Sequence, residues 1–303
     1  MDKRGDWTIA GPWRQAPLMS AETTMQADTA PAPLASVLES FALAVEPVEP
    51  VSSGLAEAVG RTLAADVCGP SPSGAAEVVR LAGARLRRID VALMASLGVE
   101  RVAIRVPRVQ VLPAADDAGA RALARLIADA INAEGADAQS ERISLEAAMR
   151  AADVDVVVAL DSPDGKHAAM LARGGRMSFP AVAIRPGGGT ALGHANGRPV
   201  LLLPDALDAA LAGWLTVGRR LLARLAFRLI EEQPFPLELA RPLTSPAGVT
   251  DVVPVRRRAS TVEPLASGAF GPSELARSDG WILVPADSEG HPAGARVVVR
   301  PWP

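Results

Sequence analysis

Chemistry in this 303-residue chain would come from a small set of charged residues placed just after apolar segments. Five aspartates stand in that position: Asp116 and Asp117, Asp161 and Asp164, and Asp205. With them come Lys166, His167 and Arg185, the last opening the stretch Arg185-Pro186-Gly187-Gly188-Gly189-Thr190. Clustered carboxylates are the donor type for a hard cation such as Mg²⁺, which would hold an anionic substrate. On that reading Asp116, Asp161 and Asp164 are the candidate metal ligands and catalytic carboxylates. The same residue type also caps helices by accepting backbone N–H bonds. Asp117 and Asp205 each precede a predicted helix and read as caps, whereas both readings stand for Asp161 and Asp164. His167 has no partner at metal-ligand spacing and reads as a solvated helix residue. No Ser-His-Asp arrangement can be assembled with any specificity.

The three glycines of 187–189 pose a separate question, because glycine permits both close backbone approach to a phosphate and a simple turn. A nucleotide-type phosphate loop must open a helix, whose first N–H groups hold the anion. Here "TALGHANGRPVLLL" follows, and Asn196-Gly197 between two extended runs is a type I′ hairpin signal. The loop therefore leads into a strand, which excludes the Walker and dinucleotide readings.

The elements that must position these residues follow from apolar periodicity. "VPRVQVLP" (106–113) predicts a strand, and 117–134 an amphipathic helix with Leu123, Leu126, Ile127, Ala130 and Ile131 inward and Gly135 as its stop. "DAQSERI" predicts a strand, Ser144 caps a short helix, and "VDVVVAL" (154–160) is a buried strand with no polar alternation. A helix near 167–173, the strand "AVAI" (181–184) and a long helix from Asp205 to about Ile230 complete the series. Alternating helices and apolar strands specify an α/β layer, a parallel or mixed sheet with helices on both faces. In such a layer ligands bind beyond the carboxyl ends of the strands, where the loops above lie.

Outside this core, residues 1–33 lack periodicity and read as a flexible tail. Residues 34–105 read as a helical segment, with helices from Pro33, over "LAEAVGRTLAADV" (55–67) and over "RLRRIDVALMASLGV" (85–99, stopped by Gly98), and with "CGPSPSG" (68–74) as a linker. The α/β part is placed at 106–233, and the Pro-, Gly- and Ser-punctuated remainder, 234–303, reads as a small β domain. Apolar residues make up 49%, yet arginines interrupt every long apolar run, so no membrane span is expected. No signal peptide is recognisable, and a cytoplasmic protein is expected. One cysteine, Cys68, excludes an internal disulfide or a multi-thiolate metal site. A net charge of −3, with arginines spread along the helices, gives no basic stripe for nucleic acid.

The order of segments resembles the molybdopterin molybdenumtransferase family, the MoeA and gephyrin E-domain group. The resemblance rests on "LASVLESFALAVEPV…SGLAEAVGRTLAADV", "LRRIDVALMASLGVERVAIRVPRVQVLP", "VDVVVAL", "AVAIRPGGGTALGHANGRPVLLLP" and "LASGAFGPSELARSDGWILVPADSEGHPAGARVVVRP", and covers most of Pro33 to Pro301. It implies a molybdopterin-binding α/β domain with a C-terminal β-barrel, and a homodimer that inserts molybdate into adenylylated molybdopterin with metal help. The implied ligand contacts are Ser162, Lys166, Arg185, Pro186, Gly187, Gly188, Gly189, Thr190, Pro204 and Asp205.

The departures have a chemical direction. Between Val67 and about Leu81 the family carries an inserted β domain with an Asp-Gly-Tyr-Ala motif, and a chain without tyrosine cannot hold it. The family's Thr-Gly-Asp-Glu-Leu has become Ala114-Ala115-Asp116-Asp117-Ala118, and its Gly-Gly-Val-Ser-Val-Gly has become Asp161-Ser162-Pro163-Asp164-Gly165-Lys166. Lys-Pro-Gly-Lys-Pro has become Arg185-Pro186-Gly187-Gly188-Gly189, and Leu-Pro-Gly-Asn-Pro has become Leu203-Pro204-Asp205-Ala206-Leu207. These changes add negative charge where an anion would approach backbone N–H groups and remove an opposing lysine. The expectation is a molybdopterin-binding protein of molybdenum cofactor biosynthesis with impaired transferase activity. The alternative is a catalytically inactive dimeric scaffold or cofactor-delivery protein, working with other molybdenum cofactor proteins.

Overall fold

The computed structural model describes residues 30–70, 76–141, 143–229 and 235–303; most of the expected tail therefore lies outside the described residues. Helix α1 (Leu34–Ala44) buries Val37 and Phe41. Its last carbonyls are satisfied from across the fold, where Arg224 donates from Nε to Val45 O at 2.8 Å and from Nη2 to Ala42 O at 3.2 Å. A cation at a helix C-terminus also meets the favourable end of the dipole. There follow β1 (Val51–Gly54), β2 (Thr62–Leu63), β3 (Val67–Pro70), β4 (Ala76–Arg80), α2 (Arg88–Ser96) and β5 (Arg101–Arg105).

The helical reading of 34–105 is corrected here, because β1, β5 and β2 form an antiparallel sheet and β3 and β4 a hairpin. The expected helix over 55–67 is instead a run of turns ending at Gly60, whose φ of +81° breaks helical phase. Leu63, 1% exposed, then packs with Leu86, Met94 and Ile104 in a small separate core. That burial overrides the helix propensity of the alanines. Residues 68–70 of the expected linker belong to β3 and residues 71–74 lie outside the described residues; Cys68 is an exposed free thiol.

The central layer contains β6 (Arg108–Leu112), α3 (Ala118–Ala133), β7 (Asp137–Ser140), α4 (Leu145–Arg150), β8 (Val156–Asp161), α5 (Lys166–Gly174), β9 (Arg176–Phe179), β10 (Ile184–Arg185), β11 (Ala191–Ala195), β12 (Arg198–Pro204), α6 (Leu207–Gly213) and α7 (Arg219–Leu225). Its sheet has the order β7-β6-β8-β12-β11-β9, with the first four strands parallel and the last two joining antiparallel. Alternation along β8 feeds two cores: Val156, Val158 and Leu160 face α3 and α7, whereas Val157 and Ala159 face α4 and α5. Helices on both faces, as expected, are thus why β8 has no polar position before Asp161. Asp117 and Ser144 cap α3 and α4 through the N–H groups of Ala120 and Ala147. Asn196 and Gly197, both at positive φ, make the hairpin between β11 and β12.

Three expectations about this layer change. Leu126 is 39% exposed rather than inward, one position off the buried stripe of Leu123, Ile127 and Ala130. The helix expected over 205–230 starts at Leu207, is widened by a π turn over Trp214–Gly218 and ends at Leu225. The wider turn seats the buried Trp214 ring against Gly218, where a Cβ would lie 2.2 Å from it. The strand expected at 181–184 is not in this sheet: β9 takes the edge, and Ile184–Arg185 pairs in parallel with the C-terminal part.

That part comprises β13 (Phe235–Leu239), β14 (Leu243–Thr244), β15 (Thr250–Arg258), β16 (Thr261–Pro264), α8 (Pro272–Arg277), β17 (Gly280–Val284), β18 (Gly290–His291) and β19 (Arg296–Val299). Strand β15 pairs with both β16 and β17, and β16 continues through β13 to β19. Reciprocal backbone bonds between Trp281 and Arg300, 2.8 and 2.9 Å, close the ring into a small barrel. Closure removes the free edges that an open sheet would expose. Val253, Val255 and Ile282 fill the barrel, while Val252 and Trp281 point the other way into the core under β8.

The end of α3 is bolted to α7 and the residues just after it by Glu134, which binds Arg219 Nε at 2.7 Å and Arg228 Nη2 at 2.6 Å. Burial disfavours its charge, yet Arg228 and Arg219 hold the carboxyl below its ordinary pKa. A depressed acid contributes stability above its unfolded pKa and loses it as pH falls through the folded value. Glu134→Gln should cost about 3 kcal/mol at pH 7, and the gap from wild type should narrow below about pH 4. Urea denaturation at both pH values checks this; a gap independent of pH would count against the ion-pair account.

Candidate functional site

Strands β6, β8 and β12 are parallel neighbours, with Leu112 opposite Ala159 and Pro204 opposite Asp161. Their carboxyl-end loops, 113–117, 161–167 and 204–206, therefore open at one edge, and Asp205 N donates to Asp161 O at 3.1 Å. The glycine loop reaches the same edge by another route, from β10 beside the barrel. Gly187, at φ +107°, lies on α6 so closely that a Cβ there would stand 2.9 Å from Ala209 O. A Cβ on Gly189 would sit 3.5 Å from Pro204. The four loops expected to form the site are thus brought together, although the fourth does not follow a strand of this sheet.

The aspartates separate by partner. Both Asp161 oxygens accept backbone N–H groups at the start of α5, from His167 at 2.9 Å and from Ala168 at 3.0 Å. The carboxylate is thus the anion of that helix N-terminus. Asp164 accepts from the Ser162 hydroxyl and from Lys166 N, and the Ser162 bond is the main cause of its lowered pKa. Asp116 pairs with Arg121 at 3.0 Å. Among the described residues no three His, Cys, Asp or Glu side chains form a group that could hold a metal ion. These carboxylates, each turned to a protein partner, do not fit a resident Mg²⁺ site.

His167 is buried, 8% exposed, and its Nδ1 lies 2.7 Å from Leu160 O, so the solvated reading is corrected. A carbonyl only accepts, so Nδ1 carries the proton. Asp205 is exposed, and α6 has Ala206 as its N-cap with no side-chain cap. The acidic work there falls to Asp208, which sequence reasoning missed: it accepts from Ala209 N at 2.9 Å and from Phe270 N, across to the barrel, at 3.1 Å. Its position in the first turn of α6 was the available signal.

Among the expected ligand contacts, Ser162, Lys166, Gly188, Gly189, Pro204 and Asp205 are exposed or half-buried at this edge. Pro186, Gly187 and Thr190 are buried, Thr190 completely, packed toward Gly213 of α6. They are packed inside the loop rather than exposed at this edge. Arg185 is also reassigned: its Nε bonds Asp251 Oδ1 at 3.2 Å, its Nη2 bonds Asp251 Oδ2, and Nη2 also reaches the Ser267 hydroxyl at 2.9 Å. Asp251 is fully buried and needs that cation. Arg185→Ala should therefore destabilise the chain by about 3 kcal/mol by leaving a buried charge unpaired. Adding Asp251→Asn should recover part of the loss in a thermal or urea melt. Full stability of Arg185→Ala alone would refute the assignment.

Comparisons with known proteins fit this architecture. Residues 236–302, the barrel, match the MoeA C-terminal region (domain IV). No curated protein matches the chain in sequence. A molybdenum cofactor biosynthesis protein from Pyrococcus furiosus superposes with a TM-score of 0.73 at 21% identity, over 89% of this chain and 99% of that one. Two structures of a molybdopterin biosynthesis MoeA protein from Pyrococcus horikoshii give TM-scores of 0.73 and 0.69, at 18% and 15% identity. They cover 90% and 88% of this chain and 100% and 99% of theirs. The C-terminal barrel is thus similar to MoeA domain IV, and over most of its length the chain shares the fold of these molybdenum cofactor biosynthesis proteins.

Proposed function

We propose that this chain binds molybdopterin in molybdenum cofactor biosynthesis, with its molybdate-inserting chemistry impaired. The fold and the domain IV match support the biosynthetic setting. The impairment rests on Asp161. A helix N-terminus carries about half a positive charge, and a full carboxylate on the N–H groups of His167 and Ala168 leaves that end of α5 negative. An incoming phosphate meets repulsion where a bare helix end would hold it. Locking Arg185 onto Asp251 removes a second anchor.

What remains for an anionic ligand is the exposed Lys166 ammonium, the Ser162 hydroxyl and the backbone of Gly188 and Gly189. Lys166 can neutralise a phosphate, and the glycine backbone admits a flat ring without side-chain bulk. This set can bind and orient, but it offers no free carboxylate cluster to bring a metal to the reaction. Homodimer formation and contacts with other molybdenum cofactor proteins belong to the same reading.

Titration of the chain with molybdopterin and its adenylylated form tests the proposal. Lys166→Ala should weaken binding about tenfold, the equivalent of about 1.4 kcal/mol, and Asp161→Asn should tighten it. Binding of neither form would leave the scaffold role instead. In a strain lacking the transferase the chain should not restore molybdoenzyme activity, and full restoration would overturn the impairment.

A further inference from the structure

At the opposite end of α3 from the candidate site, roughly 24 Å away along sixteen residues of helix, the fold gathers arginines that are dispersed in sequence. A cleft of about 430 Å³ is lined by Arg80, Arg85, Arg87, Arg219 and Arg228, with Glu134 as its one lining carboxylate. It is bounded by the turn at Val59 and Gly60, the end of β4, the residues leading into α2, the end of α3, the start of α7 and the residues after α7. None of its lining residues belongs to the four loops of the candidate site.

The charges there do not balance. Glu134 is shared by Arg219 and Arg228. Asp90, behind the wall, is shared by Arg87 at 2.8 Å and Arg80 at 3.6 Å. Arg85 has no carboxylate of its own and bonds only carbonyl oxygens, Gly60 O at 2.9 Å through Nε and Ala133 O through Nη2. Among the described residues, the cleft lining carries five guanidinium groups and one carboxylate, with Asp90 beside it, and the half negative charge of the α3 C-terminus does not make up the difference. Burial, and then Arg228 and Arg219 against the pull of Glu134, draws the Arg85 pKa below its ordinary value. The Nε of Arg80 is buried without a hydrogen-bond partner.

We propose that this cleft is a second binding site, for a compact multivalent oxyanion of the pyrophosphate or phosphate-ester class. Guanidinium groups present planar pairs of donors that match phosphate oxygens, and several converging on one cavity select a small polyanion over a single carboxylate. The cavity volume is in the range of small-molecule sites and too confined for a nucleic-acid duplex.

The test is calorimetric titration of the full chain with pyrophosphate and with inorganic phosphate, at low and high salt. One saturable site per chain is expected, tighter for pyrophosphate and weakened by salt. Arg85→Gln should lose at least tenfold in affinity, whereas Arg125→Gln, on the exposed face of α3 and outside the cleft lining, should bind pyrophosphate as the parent does. If Arg85→Gln does not fold, the exposed Arg87→Gln carries the same expectation. No saturable binding to the parent chain, or loss on Lys166→Ala with the Arg85 and Arg87 variants unchanged, overturns the proposal.

Discussion

A fully buried carboxylate governs how the two large parts of this protein meet. Asp251 has no water to stabilise its charge and lies on β15, the strand that the barrel shares with β10. Burying an ion without a partner costs several kcal/mol, so the chain must deliver a cation to that point. Arg185 does so, supported by Ser267 on its own Nη2 and by Ser245, which donates to Asp251 at 3.2 Å. Because Arg185 is fixed, the five residues after it have one path. They turn onto α6 at Gly187 and arrive beside Pro204, which puts the glycine loop at the edge where β6, β8 and β12 end.

The same constraint decides what the loop can do. An arginine next to three glycines looks like an anion cradle when read along the chain, but its guanidinium faces the barrel. The neighbouring helix N-terminus is likewise committed, because Asp161 supplies the negative charge that a ligand would otherwise bring. Both groups are engaged within the fold, Arg185 with the buried Asp251 and Asp161 with the first backbone N–H groups of α5.

At the far end of the layer the balance is reversed. Glu134 and Asp90 each bridge two arginines, and Arg85 is left to backbone carbonyls, so positive charge accumulates in a cleft. The negative edge and the positive cleft sit at opposite ends of α3. That polarity is absent from the net charge of −3, which averages over both.

Elements whose signal is local could be read from the sequence. The apolar run of β8, the caps at Asp117 and Ser144, the Asn196-Gly197 hairpin and the helix after Pro33 each depend on neighbours within a few residues. So does the exit of the glycine loop into a strand, and the α/β layer with a following small β domain comes from their order. Partners distant in sequence could not be read. Ile184–Arg185 looks like one more strand of the layer until β15, 66 residues on, claims it. The helix expected over 55–67 yields to pairing with β5, and His167 is buried because Leu160 O accepts its proton. Propensity and periodicity act over one or two turns of chain and are set by the sequence itself. Which charge meets which, and therefore whether Asp161 and Arg185 face a ligand or the protein, depends on desolvation that exists only once the tertiary structure has closed around them.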